Sequence, residues 1–320
     1  MDKILDSIGK FFAGIFVSDS AEAGDINSLF GKFLIAAGIV AVMIAGLVII
    51  AAIRFRAKRR PGMPSQYHGS NVLEIVWTGA ALITVSYFFV LTIQTMRLIN
   101  QPFQKGRRPD ITITAHQWWW DMRYPEYHVI TANELHILVG AKLLTQIRSA
   151  DVIHDWWVPS LGRKVDAVPG HINYTWIDAY KPGLYKGTCS EYCGMQHAWM
   201  RIRVIAETPE DFAAWIHHQQ QIPSPPTDSL GLAGARLFQD NTCGNCHAIA
   251  GTQATAHIGP DLTHLASRQT ILSGMLPNTL DNLKLWLTDP QKVKKGSHMP
   301  DFRLSEDKVN ALANYLEGLK

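Results

Sequence analysis

From Phe33 to Ile53 the chain carries no charged residue. The run is long enough to cross the roughly 30 Å hydrocarbon core of a bilayer as a helix. It ends abruptly in Arg54, Arg56, Lys58, Arg59 and Arg60, and a polar loop with Pro61, Gly62 and Pro64 leads to a second apolar run from about Ile75 to Ile93. A buried pair of core helices is the alternative, and length with absence of charge weighs against it. The basic cluster sits in the joining loop, so the positive-inside rule assigns that loop to the cytoplasm and both termini to the outside. We therefore expect a two-helix transmembrane hairpin over residues 31–100, with helices at about 33–53 and 72–98, anchoring external domains. Composition agrees: 47% of residues are hydrophobic and only 18% charged, against about 25% charged in soluble domains. A net charge of +3, with no long basic run in the soluble part, gives no argument for a nucleic-acid partner.

Residues 1–30 hold Lys3, Lys10 and a short patch, Phe11-Phe12-Ala13-Gly14-Ile15-Phe16-Val17. The patch is too short and interrupted for a strong secretory signal, and the segment reads as external or interfacial. After Arg97 the character changes. Ile111-Thr112-Ile113-Thr114, Glu134-Leu135-His136-Ile137-Leu138-Val139, Asp151-Val152-Ile153-His154 and Ile172-Asn173-Tyr174-Thr175-Trp176-Ile177 are short β-like runs separated by turn signals. They predict a small β-sandwich or barrel over residues 101–218. Within it Trp118, Trp119 and Trp120 are consecutive; in a strand Trp118 and Trp120 would share a face, and an exposed indole beside a redox centre could receive electrons. Thr208-Pro209-Glu210-Asp211 then opens a helix by its cap, its first-turn proline and its acids. Residues 219–229 are a semi-rigid Gln/Pro/Ser linker, and residues 230–320 look helical, with apolar residues at helical spacing behind Ser305, the cap of the last helix.

The chemistry concentrates between Cys189 and Met200. That stretch holds Cys189, Glu191, Cys193, His197 and Met200. Thiolate, imidazole and thioether together select copper over hard cations, and two cysteines four apart can bridge two metals. A Cys189–Cys193 disulfide and a structural zinc site are the other readings; zinc has no redox chemistry and leaves the methionine unexplained. A second histidine has to come from elsewhere in the chain.

Cys243-Gly244-Asn245-Cys246-His247 is a C-x-x-C-H run, the attachment motif of c-type haem, in which Cys243 and Cys246 form thioethers and His247 binds iron. A redox dithiol is the alternative. The external position and the helical domain behind the motif favour haem. Met299, in Ser297-His298-Met299-Pro300, is the expected sixth ligand, with His298 as its rival.

Taken together, these motifs resemble subunit II of haem–copper cytochrome c oxidases, in the variant with a cytochrome c domain fused at the C-terminus. The resemblance rests on Leu73-Glu74-Ile75-Val76-Trp77-Thr78, His116-Gln117-Trp118-Trp119-Trp120, Asp151-Val152-Ile153-His154-Asp155-Trp156, Val158-Pro159-Ser160-Leu161-Gly162, the Cys189–Met200 stretch and the haem motif. It implies a multidomain membrane protein: the hairpin, a cupredoxin-like domain and an all-α cytochrome c domain. It implies that His154 is the missing imidazole of a binuclear CuA centre with Cys189, Cys193, His197, Met200 and the backbone carbonyl of Glu191. The Glu191 side chain would reach a magnesium site shared with subunit I. Trp118 matches the tryptophan that accepts electrons, and Glu74 an acid at the cytoplasmic mouth of a proton path.

The implied activity is electron relay in a respiratory oxidase, from an external cytochrome c or quinol-oxidising complex, through haem c and CuA, to subunit I. There dioxygen becomes water and protons are pumped. The implied setting is the inner (cell) membrane, crossed twice, with both termini and both redox domains on the periplasmic side. Partners are subunit I, the other oxidase subunits and membrane lipid. Two further readings keep the same motifs: the CuA subunit of a nitric oxide reductase, and a tethered carrier with no catalytic partner. A quinol-oxidase subunit II is disfavoured, because the copper ligands are all present.

Overall fold

The computed structural model describes residues 17–56, 62, 63, 66, 69–103 and 106–320. The expected external segment up to residue 16, and residues 58–60 of the basic cluster, lie outside them. The described chain divides into two compact units.

The first unit is helical. Helix α1 (Ala21–Arg54) and helix α2 (Asn71–Ile99) are each long and apolar enough to cross a membrane. Their apolar side chains, among them Ile39, Val42, Ile83 and Phe89, are exposed along the length. A helix that is apolar all round and covered by no protein suits lipid as its solvent. Phe33 and Phe88 pack edge to face with ring centroids 5.7 Å apart, which ties the two helices together.

Helix α1 starts at Ala21, well before the expected start near residue 33. Residues 21–30, assigned from the sequence to the external segment, belong to it. The expectation followed the last charge before the apolar run. A helix needs only compatible backbone, and Glu22 in its first turn is favourably placed at the positive end of the dipole. Helix α2 is capped by Ser70, whose hydroxyl accepts from the Leu73 amide at 3.5 Å.

The second unit holds a two-sheet β-sandwich and a helical domain. Strands β1 (Ile111–His116), β2 (Trp119–Tyr124), β3 (Val129–Ala132), β5 (Leu143–Ser149) and β8 (Asn173–Ile177) form one sheet in the order β3-β2-β1-β5-β8. The other sheet, β4-β10-β9-β6-β7, is built from β4 (Glu134–Leu138), β6 (His154–Trp157), β7 (Val165–Ala167), β9 (Gly183–Cys189) and β10 (Arg201–Glu207). Ile113, Trp120, Met122, Leu135, Ile137, Ile147 and Ile202 fill the space between them. Helix α3 (Pro209–Gln219) follows, with the Thr208 hydroxyl accepting from the Asp211 amide.

Two local expectations change. Asp151–Ile153 is a turn, and strand β6 begins only at His154. The Asp151 carboxylate accepts from the amides of Val152 and Gln117 at 2.7 and 2.6 Å, so a side chain takes the place of a strand partner. Trp118 lies in the turn between β1 and β2, so it shares no strand face with Trp120. It is also buried, not exposed.

The helical domain comprises α4 (Ser229–Asp240), α5 (Leu280–Thr288), α6 (Pro290–Val293) and α7 (Glu306–Glu317), with a small hairpin of β11 (Thr270–Ile271) and β12 (Leu276–Pro277). Phe238, Leu283, Leu287, Val309, Leu312 and Leu316 make its core. Helices α4 and α7 cross at Gly234, where an added Cβ would strike the Ala311 carbonyl. Only glycine allows that approach. Ser305 stands at the N-cap of α7 but makes no side-chain capping bond.

Candidate metal centre

Three neighbouring strands of the second sheet deliver the soft ligands to one place. Cys189 ends β9, opposite Trp156 of β6, so His154 lies two residues along the same partner strand. The Cys189 amide donates to the Met200 carbonyl at 2.9 Å, which closes the loop carrying Cys193 and His197. The Ser190 amide donates to the Asp155 carbonyl at 3.2 Å and fastens that loop to β6.

Among the described residues, His154, Cys189 and Cys193 form a cluster whose donor atoms lie within 4.8 Å of one another. Both cysteines are free thiols, with sulfurs 3.8 Å apart. His154 Nδ1 is 4.0 Å from Cys189 Sγ, and His197 Nδ1 is 3.6 Å from Cys193 Sγ. Met200 Sδ is 3.9 Å from Cys193 Sγ, and the Glu191 carbonyl is 3.3 Å from Cys189 Sγ. Donor atoms at these separations can share metals through bonds of about 2.0–2.3 Å. His154 and Met200 are fully buried, and the cysteines nearly so. Two thiols, two imidazoles and a thioether in a largely buried site fit copper, and the thiols are not joined as a disulfide.

Neighbours fix each ligand. His154 Nε2 lies 2.7 Å from Asp151 Oδ1, which leaves Nδ1 for the cluster. Burial lowers the basicity of His154, but the bonds to Asp151 and Cys189 outweigh it and hold its pKa above the ordinary histidine value. The Cys189 thiol is held down at about 3, first by its hydrogen bond with Cys193, while Cys193 is pushed up by the same contact. The Cys193 carbonyl accepts from Gln117 Nε2 at 2.8 Å and from Trp118 Nε1 at 2.9 Å. Gly194 has φ +110°, and a Cβ there would lie 3.0 Å from Trp118 Cζ2, so glycine is required in this turn. Trp120 packs edge-on against Trp156 beneath the ligands, with ring centroids 5.2 Å apart.

In the helical domain, α4 ends at Asp240 and Thr242 turns the chain through a left-handed conformation into Cys243. His247 Nδ1 is 2.8 Å from the Pro260 carbonyl, which orients the ring and leaves Nε2 for iron. Burial lowers the His247 pKa, favouring the neutral, ligating form. A Cβ at Gly259 would sit 2.5 Å from His247 Cε1, so backbone is pressed against the ring. Met299 packs against the domain core, whereas His298 is exposed and its ring approaches Trp118, centroids 5.5 Å apart. These residues fit a c-type haem.

The Glu191 side chain is exposed beside the cluster. Glu74 stands in the first turn of α2, exposed. Asp151, Gln117 and Gly194 were given no role by the sequence reading. Asp151 lies three residues before His154, in the run expected to be a strand; its place in a turn, which lets it reach the ring, appears only in the fold.

Residues 128–207 match the family described as cytochrome c oxidase subunit II, periplasmic domain, and residues 232–320 match cytochrome c. A sandwich with a soft-ligand cluster, joined to a helical C-x-x-C-H domain, defines a class of redox protein for which those families imply copper and haem c. The relatives sharpen this. Cytochrome c oxidase subunit 2 of Alkalihalophilus pseudofirmus is 34% identical over 298 residues, 90% of this chain and 85% of that one. The subunit 2 proteins of Bacillus sp. (strain PS3) and Bacillus subtilis are 31% and 29% identical, covering 82% and 84% of this chain and 80% and 81% of theirs. The chain belongs to the cytochrome c oxidase subunit II family, part of an oxidoreductase complex.

Proposed function

We propose that this chain is the electron-relay subunit of a respiratory terminal oxidase. It takes single electrons from an external donor, a cytochrome c or a quinol-oxidising complex, and delivers them to subunit I. There dioxygen is reduced to water and protons are pumped. The observation that carries this reading is the convergence of His154 from β6 with Cys189, Glu191, Cys193, His197 and Met200 from the following loop on one cluster, in which His154, Met200 and both cysteines are buried.

Those six residues would hold a binuclear CuA centre, and Cys243, Cys246, His247 and Met299 a covalent haem c. When bound, these groups supply reversible one-electron chemistry. The chain's own residues bury His154, Cys189, Cys193 and Met200 and hold the ligating groups in place. Asp151 orients His154, Gln117 and Trp118 pin the Cys193 carbonyl, and the Pro260 carbonyl orients His247. Rigid ligands that keep one arrangement in both oxidation states limit the reorganisation that each transfer would otherwise require. The inward packing of Met299 favours it over His298 as the second axial ligand.

Three further roles rest on family resemblance. Trp118 accepts the incoming electron. Glu191 completes a magnesium site with subunit I, for which its exposed carboxylate is suited. Glu74 begins a proton path, at the end of α2 that the basic loop assigns to the cytoplasm. That topology crosses the inner membrane twice and leaves both redox domains and both termini in the periplasm, with subunit I and the other oxidase subunits as membrane partners.

Oxygen uptake and nitric oxide consumption by the purified complex test the assignment. Cytochrome-c-driven oxygen uptake supports it. Nitric oxide reduction without oxygen uptake would transfer the chain to a nitric oxide reductase, and a chain that purifies with no large membrane subunit would be a tethered carrier.

A further inference from the structure

The helical domain is fastened to the sandwich directly over Trp118. The Glu134 carboxylate, buried at 1% exposure, accepts from the amides of Gln269 and Thr270, both at 2.9 Å, and from the Thr270 hydroxyl at 2.7 Å. Arg203 Nε lies 3.2 Å from the same carboxylate. The Ser273 hydroxyl and the Lys294 ammonium both donate to the Trp118 carbonyl, at 2.8 and 3.0 Å. Lys294 also reaches the Leu272 carbonyl at 3.3 Å. The loop that bears Met299 rests on the copper loop: Gln196 Nε2 donates to the Lys295 carbonyl at 2.6 Å, and a Cβ at Gly296 would lie 2.7 Å from Met195 Sδ. His298, next to Met299, completes the contact by placing its ring 5.5 Å from that of Trp118.

A semi-rigid Gln/Pro/Ser linker alone leaves the domain's orientation open. These bonds oppose that. Buried charges are tolerated only when hydrogen-bonded, and here Glu134 and Lys294 both find hydrogen-bond partners across the domain boundary. The contact is therefore specific in register.

We propose that Glu134 and Lys294 are positioning residues that latch the haem domain over Trp118, and that the His298 and Trp118 rings are the internal crossing between the two redox sites. This rests on the relay reading above. The step is the passage of one electron from the reduced haem side, supplied by the external donor, to the oxidised copper side; no bond forms or breaks and no proton moves. Its route runs from Met299 through the adjacent His298 ring, across to the Trp118 ring, and through the Trp118 Nε1–Cys193 carbonyl bond. Electron transfer weakens steeply with the gap to be crossed, so displacement of either ring slows it. A covered Trp118 also means that a separate donor has to reduce the haem domain first.

The test uses the whole purified complex. Wild type, Glu134→Gln, Lys294→Gln, His298→Ala and His298→Phe are compared in three readouts. These are amide hydrogen exchange over residues 269–277, the midpoint potentials of both centres, and the internal transfer rate after flash reduction of the haem. Glu134→Gln and Lys294→Gln should raise exchange in that segment and slow internal transfer about tenfold or more, a loss typical of misplaced reacting groups, with the haem potential unchanged in both and the copper potential unchanged in Glu134→Gln. His298→Ala should slow transfer equally, and His298→Phe, which keeps a ring at Trp118, should restore it. If exchange rises but the rate is unchanged in every variant, or if His298→Phe is as slow as His298→Ala, the route is overturned. A wild-type complex lacking copper or haem would contradict the relay itself, and the route with it.

Discussion

Oδ1 of Asp151 lies 2.7 Å from Nε2 of His154, and this contact decides which ring nitrogen faces Cys189. The carboxylate itself is held by the Gln117 and Val152 amides. It is a support for a ligand, not a ligand. Asp151→Asn should therefore keep the fold and weaken copper retention by about 10- to 100-fold, as loss of such partners does. Chelator titration of the loaded protein checks this; unaltered retention would mean that packing alone orients the ring.

Cys193 joins three of the cluster's members: Cys189, His197 and Met200 all lie within 3.9 Å of its sulfur. Cys193→Ser should abolish the mixed-valence copper signal in electron paramagnetic resonance and leave the c-haem absorbance intact. Loss of both would show that the two domains depend on each other for assembly.

Met299 and His298 face opposite ways, one toward the domain core and one toward Trp118. Met299→Ala should lower the haem midpoint potential and alter the spectrum, since methionine opposite histidine raises the iron potential. An unchanged potential would assign the ligand to His298.

Asp155 is buried on β6 opposite Asp166 of β7. Burial first, and then the facing Asp166, push its carboxyl up to about 7. An acid with a raised folded pKa binds more protons folded than unfolded. Its contribution favours the fold below about 4 and is lost as pH rises toward 7. Asp155→Asn should flatten the pH dependence of thermal unfolding in that window and raise the melting temperature above pH 7 by several degrees. A steeper dependence in the variant would contradict the pairing.

Gly234→Ala should disrupt the crossing of α4 on α7, because the added methyl meets the Ala311 backbone, which cannot step aside as a side chain could. Overpacking of this kind costs about 1–3 kcal/mol or more. The visible outcome is poor haem incorporation, with the copper signal retained.

Much of the architecture was legible in the sequence because its signals are local. An uncharged apolar run, a C-x-x-C-H motif and a Gln/Pro linker each carry their meaning within a few residues. The soft-ligand cluster was half legible: Cys189 to Met200 are neighbours in sequence, but His154 arrives from β6 through strand pairing, and only resemblance supplied it. The start of α1 was misread because polarity, not helix propensity, was used to find it. The cover over Trp118 was invisible, since Glu134, Ser273 and Lys294 are ordinary polar residues until the fold brings them across a domain boundary.

The most direct test of the central claim is metal and haem analysis of the purified complex, with electron paramagnetic resonance of the same sample. The ligand set predicts about two coppers and one covalent haem per chain, with a single electron shared between the coppers in the mixed-valence state. Zinc in place of copper, or one copper with an ordinary mononuclear signal, would contradict it.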